Sequence, residues 1–234
     1  MKPDFDVMVL AAHPDDAEIC CGGTILGLLA TGRRVAIVDL TEGEMSSRGT
    51  VETRRQECAA ATEMLGVQER VNLRLPDAGL RDDDRCLEPV VAVIRKLRPR
   101  LLLAQHPHDI HPDHVAAGLL ARRAYFHSGL ANYGKQLGAA FRPSELVAFP
   151  ANDHVEPNFC VNISSQVSDK QAVIECYRSQ VEAGDGSHFA RKLDPLTRVQ
   201  ARDRYFGARI GVQAAEPFIL GGPLALSGLD CLLD

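Results

Sequence analysis

Apolar and polar positions along this chain fall into blocks that predict strands and helices by turns. Residues 7–12, 35–40 and 101–104 are short apolar runs without polar alternation, the pattern of parallel strands buried on both faces. Segments with helical spacing separate them: residues 23–31, closed by Gly32; residues 51–65, closed by Gly66; and residues 87–97. A short strand is predicted at 71–75. Further on, a helix opened by Pro112 runs to about Phe126, strands follow at 145–149 and 159–163, and helices lie near 166–177 and 198–210. Strands alternating with helices predict βαβ units, hence an α/β, Rossmann-like three-layer fold around a mostly parallel sheet. Residues 183–195, rich in Gly, Asp and Ser and lacking periodicity, read as a loop over the site.

Composition narrows the classes. A chain of 234 residues is long enough for one large core, so residues 1–234 are expected to form a single domain. With 45% hydrophobic residues, 24% charged residues and a formal charge of −5, it is an ordinary globular protein without a basic stripe for nucleic acid. No apolar stretch approaches the ~18 residues of a membrane helix, and the first strand begins without a signal-peptide core, so a cytoplasmic location is expected. The seven cysteines have no Cys-x-x-Cys spacing and read as reduced thiols. Cys20 and Cys21, as adjacent residues, are poor disulfide partners.

The candidate chemistry sits in two clusters, His13-Pro14-Asp15-Asp16 and His111-Pro112-Asp113-His114, each following a predicted strand. Ligands of open α/β sheets bind beyond the carboxyl ends of the strands. Proline suits the first helical position and disfavours helix before it, so His13 and His111 are expected as cap-like residues. Asp16 and His114 then return to the same face one turn later. A lone His-Pro-Asp is more often a helix cap than a ligand; two at strand ends point to one metal site split across the chain. His13, Asp16 and His114 offer two imidazoles and a carboxylate, a set that suits Zn²⁺ and also admits Fe²⁺ or another divalent first-row metal. Asp15, beside a ligand, is placed to take a proton from water activated there. His106 and His108 read as wall residues, and His127, His154 and His188 are isolated.

With Gly22-Gly23-Thr24, Thr41-Glu42-Gly43-Glu44, Arg54-Arg55-Gln56-Glu57, Tyr205-Phe206-Gly207-Ala208-Arg209-Ile210-Gly211-Val212 and Glu216-Pro217-Phe218, these clusters resemble the PIG-L (LmbE-like) zinc deacetylases of N-acetylglucosaminyl compounds over nearly the whole chain. Within that family the chain is most similar to the N-acetylglucosaminyl-L-malate deacetylases of bacillithiol biosynthesis. The resemblance implies His13, Asp16 and His114 as zinc ligands, Asp15 as general base, His111 as oxyanion stabiliser or proton donor, and Asp113 as a residue that orients an imidazole. It implies Arg54 as a substrate contact and a homo-oligomer, with a hexamer as one form. For a malate-bearing substrate, Arg54 or Arg142 would pair with carboxylates. Two positions depart from the family pattern: Cys20 stands where glycine is expected, and Ile110 where a basic residue is frequent.

Two rivals remain at this stage. One is a deacetylase of another aminosugar, such as diacetylchitobiose or a mycothiol-type conjugate. The other, from a different class, is a noncatalytic nucleotide-binding module; it lacks the Gly-x-Gly-x-x-Gly turn. Small-molecule aminosugar conjugates, rather than nucleic acid or membrane, are the expected partners.

Overall fold

The computed structural model describes residues 3–181 and 194–223, together with 225 and 228. In chain order the elements are β1 (Phe5–Ala11), α1 (Asp16–Ala30), β2 (Val35–Asp39), α2 (Val51–Leu65), β3 (Glu69–Asn72), α3 (Asp84–Leu97), β4 (Pro99–Gln105), α4 (Pro112–Ser128), β5 (Glu145–Phe149), β6 (Phe159–Asn162), α5 (Val167–Glu175), α6 (Arg178–Val181), α7 (Pro195–Arg209) and β7 (Ala215–Leu220). One sheet of seven strands in the order β3-β2-β1-β4-β5-β7-β6 runs through the molecule. The pairs among β1 to β5 are parallel, whereas β7 is antiparallel to both β5 and β6. The mostly parallel, Rossmann-like α/β arrangement expected from the block pattern is present.

Strand side chains alternate between faces, and both faces are covered, which is why the middles of β1, β2 and β4 are apolar without alternation. From β1, Met8 and Leu10 pack with α3 and α4 residues such as Leu87, Ile94, Ala117 and Leu120. Val7, Val9 and Ala11 pack on the opposite side with Ile25 of α1, Ala61 of α2 and Val173 of α5. At Gly118 on α4 an added Cβ would lie 2.7 Å from the carbonyl oxygen of Gln105 and from the nitrogen of Pro107, so this glycine lets α4 rest on the end of β4.

Several boundaries differ from the sequence reading, most of them by two or three residues. Helix α1 begins at Asp16, seven residues before the predicted start, and is interrupted at Cys21 (φ −141°, ψ 21°). The second half starts afresh, because the Glu216 carboxylate accepts from the backbone N–H of Gly23 at 2.9 Å and of Thr24 at 2.8 Å, acting as a cap supplied from β7. Strand β3 ends at Asn72 because Arg74 takes a positive φ of 53°, although the backbone N–H groups of Leu73 and Leu75 still bond to Asp39 and Leu40. Strand β7 contains Pro217, a residue that argues against strand. It is tolerated because β5 pairs only with Ile219 and Leu220, beyond the proline. Of the expected 183–195 loop, residues 183–193 lie outside the described residues, and Asp194 and Pro195 open α7.

No helix among the described residues is long and apolar enough to cross a membrane. The six described cysteines are free.

Gly118→Ala should lower stability by about 1 to 3 kcal/mol through overpacking against backbone. Gly27→Ala, in helix α1 where nothing lies within 4 Å of an added Cβ, should raise it by about 0.5 to 1 kcal/mol. Denaturant midpoints of the two variants check the pair. Equal midpoints would mean that α4 does not need close approach at Gly118.

Candidate metal centre and its cleft

The loops after β1 and β4 meet because these two strands are paired at the centre of the sheet, where the strand order reverses. Gln105, the last residue of β4, fastens the loops: its Oε1 accepts from the Ala12 N–H at 2.8 Å and its Nε2 donates to Asp16 Oδ2 at 2.9 Å. His13, Asp16 and His114 come together here, each buried, with one ligand atom apiece and all of these within 4.8 Å of one another. His13 Nδ1 lies 3.2 Å from Asp16 Oδ2, and His114 Nε2 lies 3.3 Å from Asp16 Oδ1.

The ring nitrogens facing away from Asp16 are held by other carboxylates. His13 Nε2 is 3.0 Å from Asp77 Oδ1 and 3.4 Å from Asp113 Oδ2. His114 Nδ1 is 3.3 Å from Asp109 Oδ1, and Asn152 Nδ2 lies 3.2 Å from the same nitrogen. Carboxylate–histidine pairs of this kind fix ring orientation and raise ligand basicity. Asp113 also accepts from the backbone of Ala78 at 2.7 Å and Leu80 at 3.2 Å, which ties the loop after β3 to the site.

A second grouping, His13, His111 and Asp113, also has ligand atoms within 4.8 Å of one another. It is the poorer donor set. His111 is the N-cap of α4 and its Nδ1 accepts from the Asp113 N–H at 3.2 Å, while both Asp113 oxygens are engaged by backbone donors. With Nδ1 an acceptor, neutral His111 carries its proton on Nε2 and presents a donor. Burial, then the neighbouring His114 and His13, lower the His111 pKa and keep the ring neutral. Its ring stacks on His114 with centroids 4.7 Å apart.

The first cluster departs from expectation in one respect. His111 caps its helix as predicted, but His13 does not; Asp15 is the N-cap residue of α1, in a left-handed conformation with φ 113° and ψ −30°. Such a φ is costly for aspartate and is held by its surroundings. Arg54 supplies the hold, since its NH2 donates to the Pro14 carbonyl at 2.5 Å and lies 3.0 Å from Asp15 Oδ2. Burial pushes the Asp15 carboxyl up to about 7, against the pull of Arg54.

The two arginines expected at the substrate are placed differently. Arg54 lines the cleft, is buried at 5% exposure and meets Pro14 and Asp15 through NH2, so it is not a solvated helix-face charge; its Nε has no hydrogen-bond partner. Arg142 lies away from the cleft: its guanidinium stacks on Phe126, 4.7 Å from the ring centroid, and NH2 donates to the Phe126 carbonyl near the far end of the 17-residue α4. His106 and His108 are not among the residues lining the cleft; His106 Nδ1 accepts from the His108 N–H, and His108 Nε2 reaches Asp153. His188 lies outside the described residues.

Asp77 and Asp109 were not singled out from sequence. Single aspartates in loops carry no motif, although Asp109 sits two residues before His111. The cleft around the cluster has a volume of about 590 Å³ and is bounded by Gly43, Met45, Ser46, Asp77, Gln180 and Arg198, among others. Donor types, burial and outer carboxylates all fit a divalent cation in place of the protons the histidines now share with Asp16.

A family model described as "PIG-L: GlcNAc-PI de-N-acetylase" matches residues 8–125. The chain is 32% identical over 185 residues to a diacetylchitobiose deacetylase of Thermococcus kodakarensis, covering 74% of this chain and 69% of that protein. It is 29% identical over 194 residues to a probable N-acetyl-alpha-D-glucosaminyl L-malate deacetylase 2 of Bacillus cereus, covering 76% and 84%. Among solved structures, a conserved protein of Thermus thermophilus superposes with a TM-score of 0.86 at 38% identity, over 95% of this chain and 97% of that one. An N,N'-diacetylchitobiose deacetylase of Pyrococcus horikoshii superposes with a TM-score of 0.79 at 26% identity, over 92% and 83%.

If Asp109 holds His114 for metal, Asp109→Asn should weaken metal affinity about 10- to 100-fold, whereas Asp153→Asn should not; competition with a chelating dye measures both. In the metal-free protein His114 is raised to about 9, with the carboxylates of Asp16 and Asp109 outweighing its burial. Metal must displace that proton, so affinity should climb as pH rises toward 9. A pH-independent affinity together with wild-type binding by Asp109→Asn would contradict this picture.

Proposed function

The chain belongs to the PIG-L family, and on that premise we propose that it is a metal-dependent N-deacetylase that hydrolyses the acetamide of an N-acetylglucosamine conjugate. Residues 1–234 act as one deacetylase domain in this reading. The observation that carries it is the convergence of His13, Asp16 and His114 beside a half-buried, strained Asp15 in an open cleft. A divalent ion held by those three residues would polarise the amide carbonyl and acidify water. Zn²⁺ is the ion we assign, since two imidazoles and one carboxylate make a frequent catalytic set for it.

Asp15 takes the proton of the attacking water, a task suited to a carboxyl raised to about 7. The Nε2–H of His111 donates to the oxygen that gains charge as water adds to the carbonyl carbon. The C–N bond then breaks, and the proton held on Asp15 passes to the departing amine, leaving acetate and a free amino sugar. Arg54 acts through Asp15, holding its backbone and carboxylate in place. Asp77 and Asp113 orient His13, and Asp109 orients His114.

The malate conjugate expected from the sequence, and with it a place in bacillithiol biosynthesis, has less support than the N-acetylglucosaminyl half. A malate group brings two carboxylates; Arg142 lies off the cleft, and Arg54, which lines it, already pairs through NH2 with Asp15. Ile110, 49% exposed beside His111, supplies no charge either. The nucleotide-binding alternative is disfavoured, because the start of α1 carries Asp15 and Asp16, carboxylates where a phosphate would need bare N–H groups.

Asp15→Asn should retain metal and lose about 10²- to 10⁴-fold in acetate release from N-acetylglucosamine conjugates. Near-normal turnover by a metal-replete Asp15→Asn enzyme would remove Asp15 from the role of base.

A further inference from the structure

The Arg54-Arg55-Gln56-Glu57 motif contains a second buried side chain besides Arg54. Glu57 follows Arg54 by three residues on the same face of α2 and is 9% exposed. A carboxylate taken out of water needs donors to replace its hydration. Its Oε1 accepts from the Ser179 backbone N–H at 2.7 Å and its Oε2 from the Ser179 hydroxyl at 2.7 Å, so both oxygens hold the short helix α6.

Helix α6 meets the cleft through the next residue, Gln180. Its Oε1 accepts from Ser46 Oγ at 3.3 Å, and its Nε2 donates to the Arg48 carbonyl at 3.1 Å and to Ser179 Oγ at 2.9 Å. Ser46, Ser47, Gln180 and Val181 all line the metal cleft. The loop after β2 also closes on Ser179: Gly49 has φ 72°, and a Cβ added there would lie 2.9 Å from Ser179 Oγ. One side of the cleft is therefore a hydrogen-bonded wall of two segments joined at Ser179, and Glu57 is the buried group that holds Ser179.

We infer that Glu57 is a positioning residue for substrate, a role that rests on the deacetylase reading: it fixes the wall made by Ser46 and Gln180, while Arg54, one turn earlier on α2, fixes Asp15. A single helix then sets the spacing between the base and the surface against which the substrate lies. Both donors of the Gln180 amide are engaged within the wall, so it presents a fixed surface. A wall ordered in advance costs little to order on binding, and the reacting amide is held in register with the base. Loss of Glu57 frees the wall and weakens substrate binding, and it leaves the metal ligands, on the loops after β1 and β4, where they are.

Glu57→Leu and Glu57→Gln test this beside Glu63→Gln, a change on the exposed face of α2. Hydrogen exchange in peptides covering residues 44–49 and 178–181 should quicken in Glu57→Leu and stay at the wild-type rate in Glu63→Gln. With zinc-loaded enzyme, KM for N,N'-diacetylchitobiose should rise about tenfold in Glu57→Leu, the size of one charge-assisted hydrogen bond. In Glu57→Gln, whose oxygen still accepts from the Ser179 N–H, the rise should be about threefold. In both, kcat should fall by less than KM rises. Zn²⁺ affinity should stay at the wild-type value, which separates a loosened wall from a damaged fold. Ser179→Ala should reproduce part of the KM effect and add nothing to Glu57→Leu. If Glu57→Leu does not fold in a thermal melt, Glu57→Gln and Ser179→Ala supply the same comparison. Unchanged exchange in both peptides, an unchanged KM, or a Zn²⁺ affinity that falls in step with KM would overturn the inference. A wild type that releases no acetate would sink the deacetylase reading and the substrate role with it, whereas unchanged exchange in an active enzyme would sink the role of Glu57 alone.

Discussion

The pairing of β1 with β4 is the constraint on which the rest depends. These strands run parallel, with Val7 beside Leu101 and Leu10 beside Ala104, and the helices that follow them leave on opposite sides of the sheet. Their carboxyl ends therefore bring two loops together with no element between them, the usual place for a ligand in an open α/β sheet. Gln105 turns that adjacency into contact by bonding both to the Ala12 backbone and to the Asp16 side chain. Without this register the two His-Pro-Asp clusters would be separate helix starts.

Around this junction, charge is buried in layers. Behind the cleft Arg70 spans Asp39 and Glu18, and the Tyr177 hydroxyl donates to Glu18 at 2.9 Å. On the far side of α1, Lys170 pairs with Asp203 and Glu216, and Glu216 caps the restarted half of α1. Buried pairs of this sort are weak arguments for stability, because desolvation offsets much of their attraction. They restrict where each element can sit, which suits a site whose proposed base is held at a positive φ.

Much of the fold was legible from periodicity. Strands buried on both faces show as unbroken apolar runs, and the span of α2 and the bounds of β5 fall where the pattern puts them. The misplacements share a cause, namely long-range contacts that override local signals. Pro14 looked like a helix opener, but Asp15 in the left-handed region starts α1 instead. Gly23 looked like the start of a helix and marks a restart capped from β7. Pro217 hid a strand that pairs with β6 at the proline and with β5 only beyond it. At the site, residues in motifs were readable, while Asp77 and Asp109 became visible only through the histidines they touch. Arg142 shows the limit of residue type: a guanidinium suits a carboxylate, but only topology says whether it reaches the cleft.

The central claim is that one ion at His13, Asp16 and His114 makes the cleft hydrolytic toward an N-acetylated amino sugar. Titrating metal-free protein with Zn²⁺ while measuring acetate release from N,N'-diacetylchitobiose tests it most directly. The account predicts activity that is absent at the start, rises linearly and reaches a plateau at one equivalent per chain. Acetate release that is full in the metal-free protein, or absent at every metal ratio with each of several divalent ions, would contradict it.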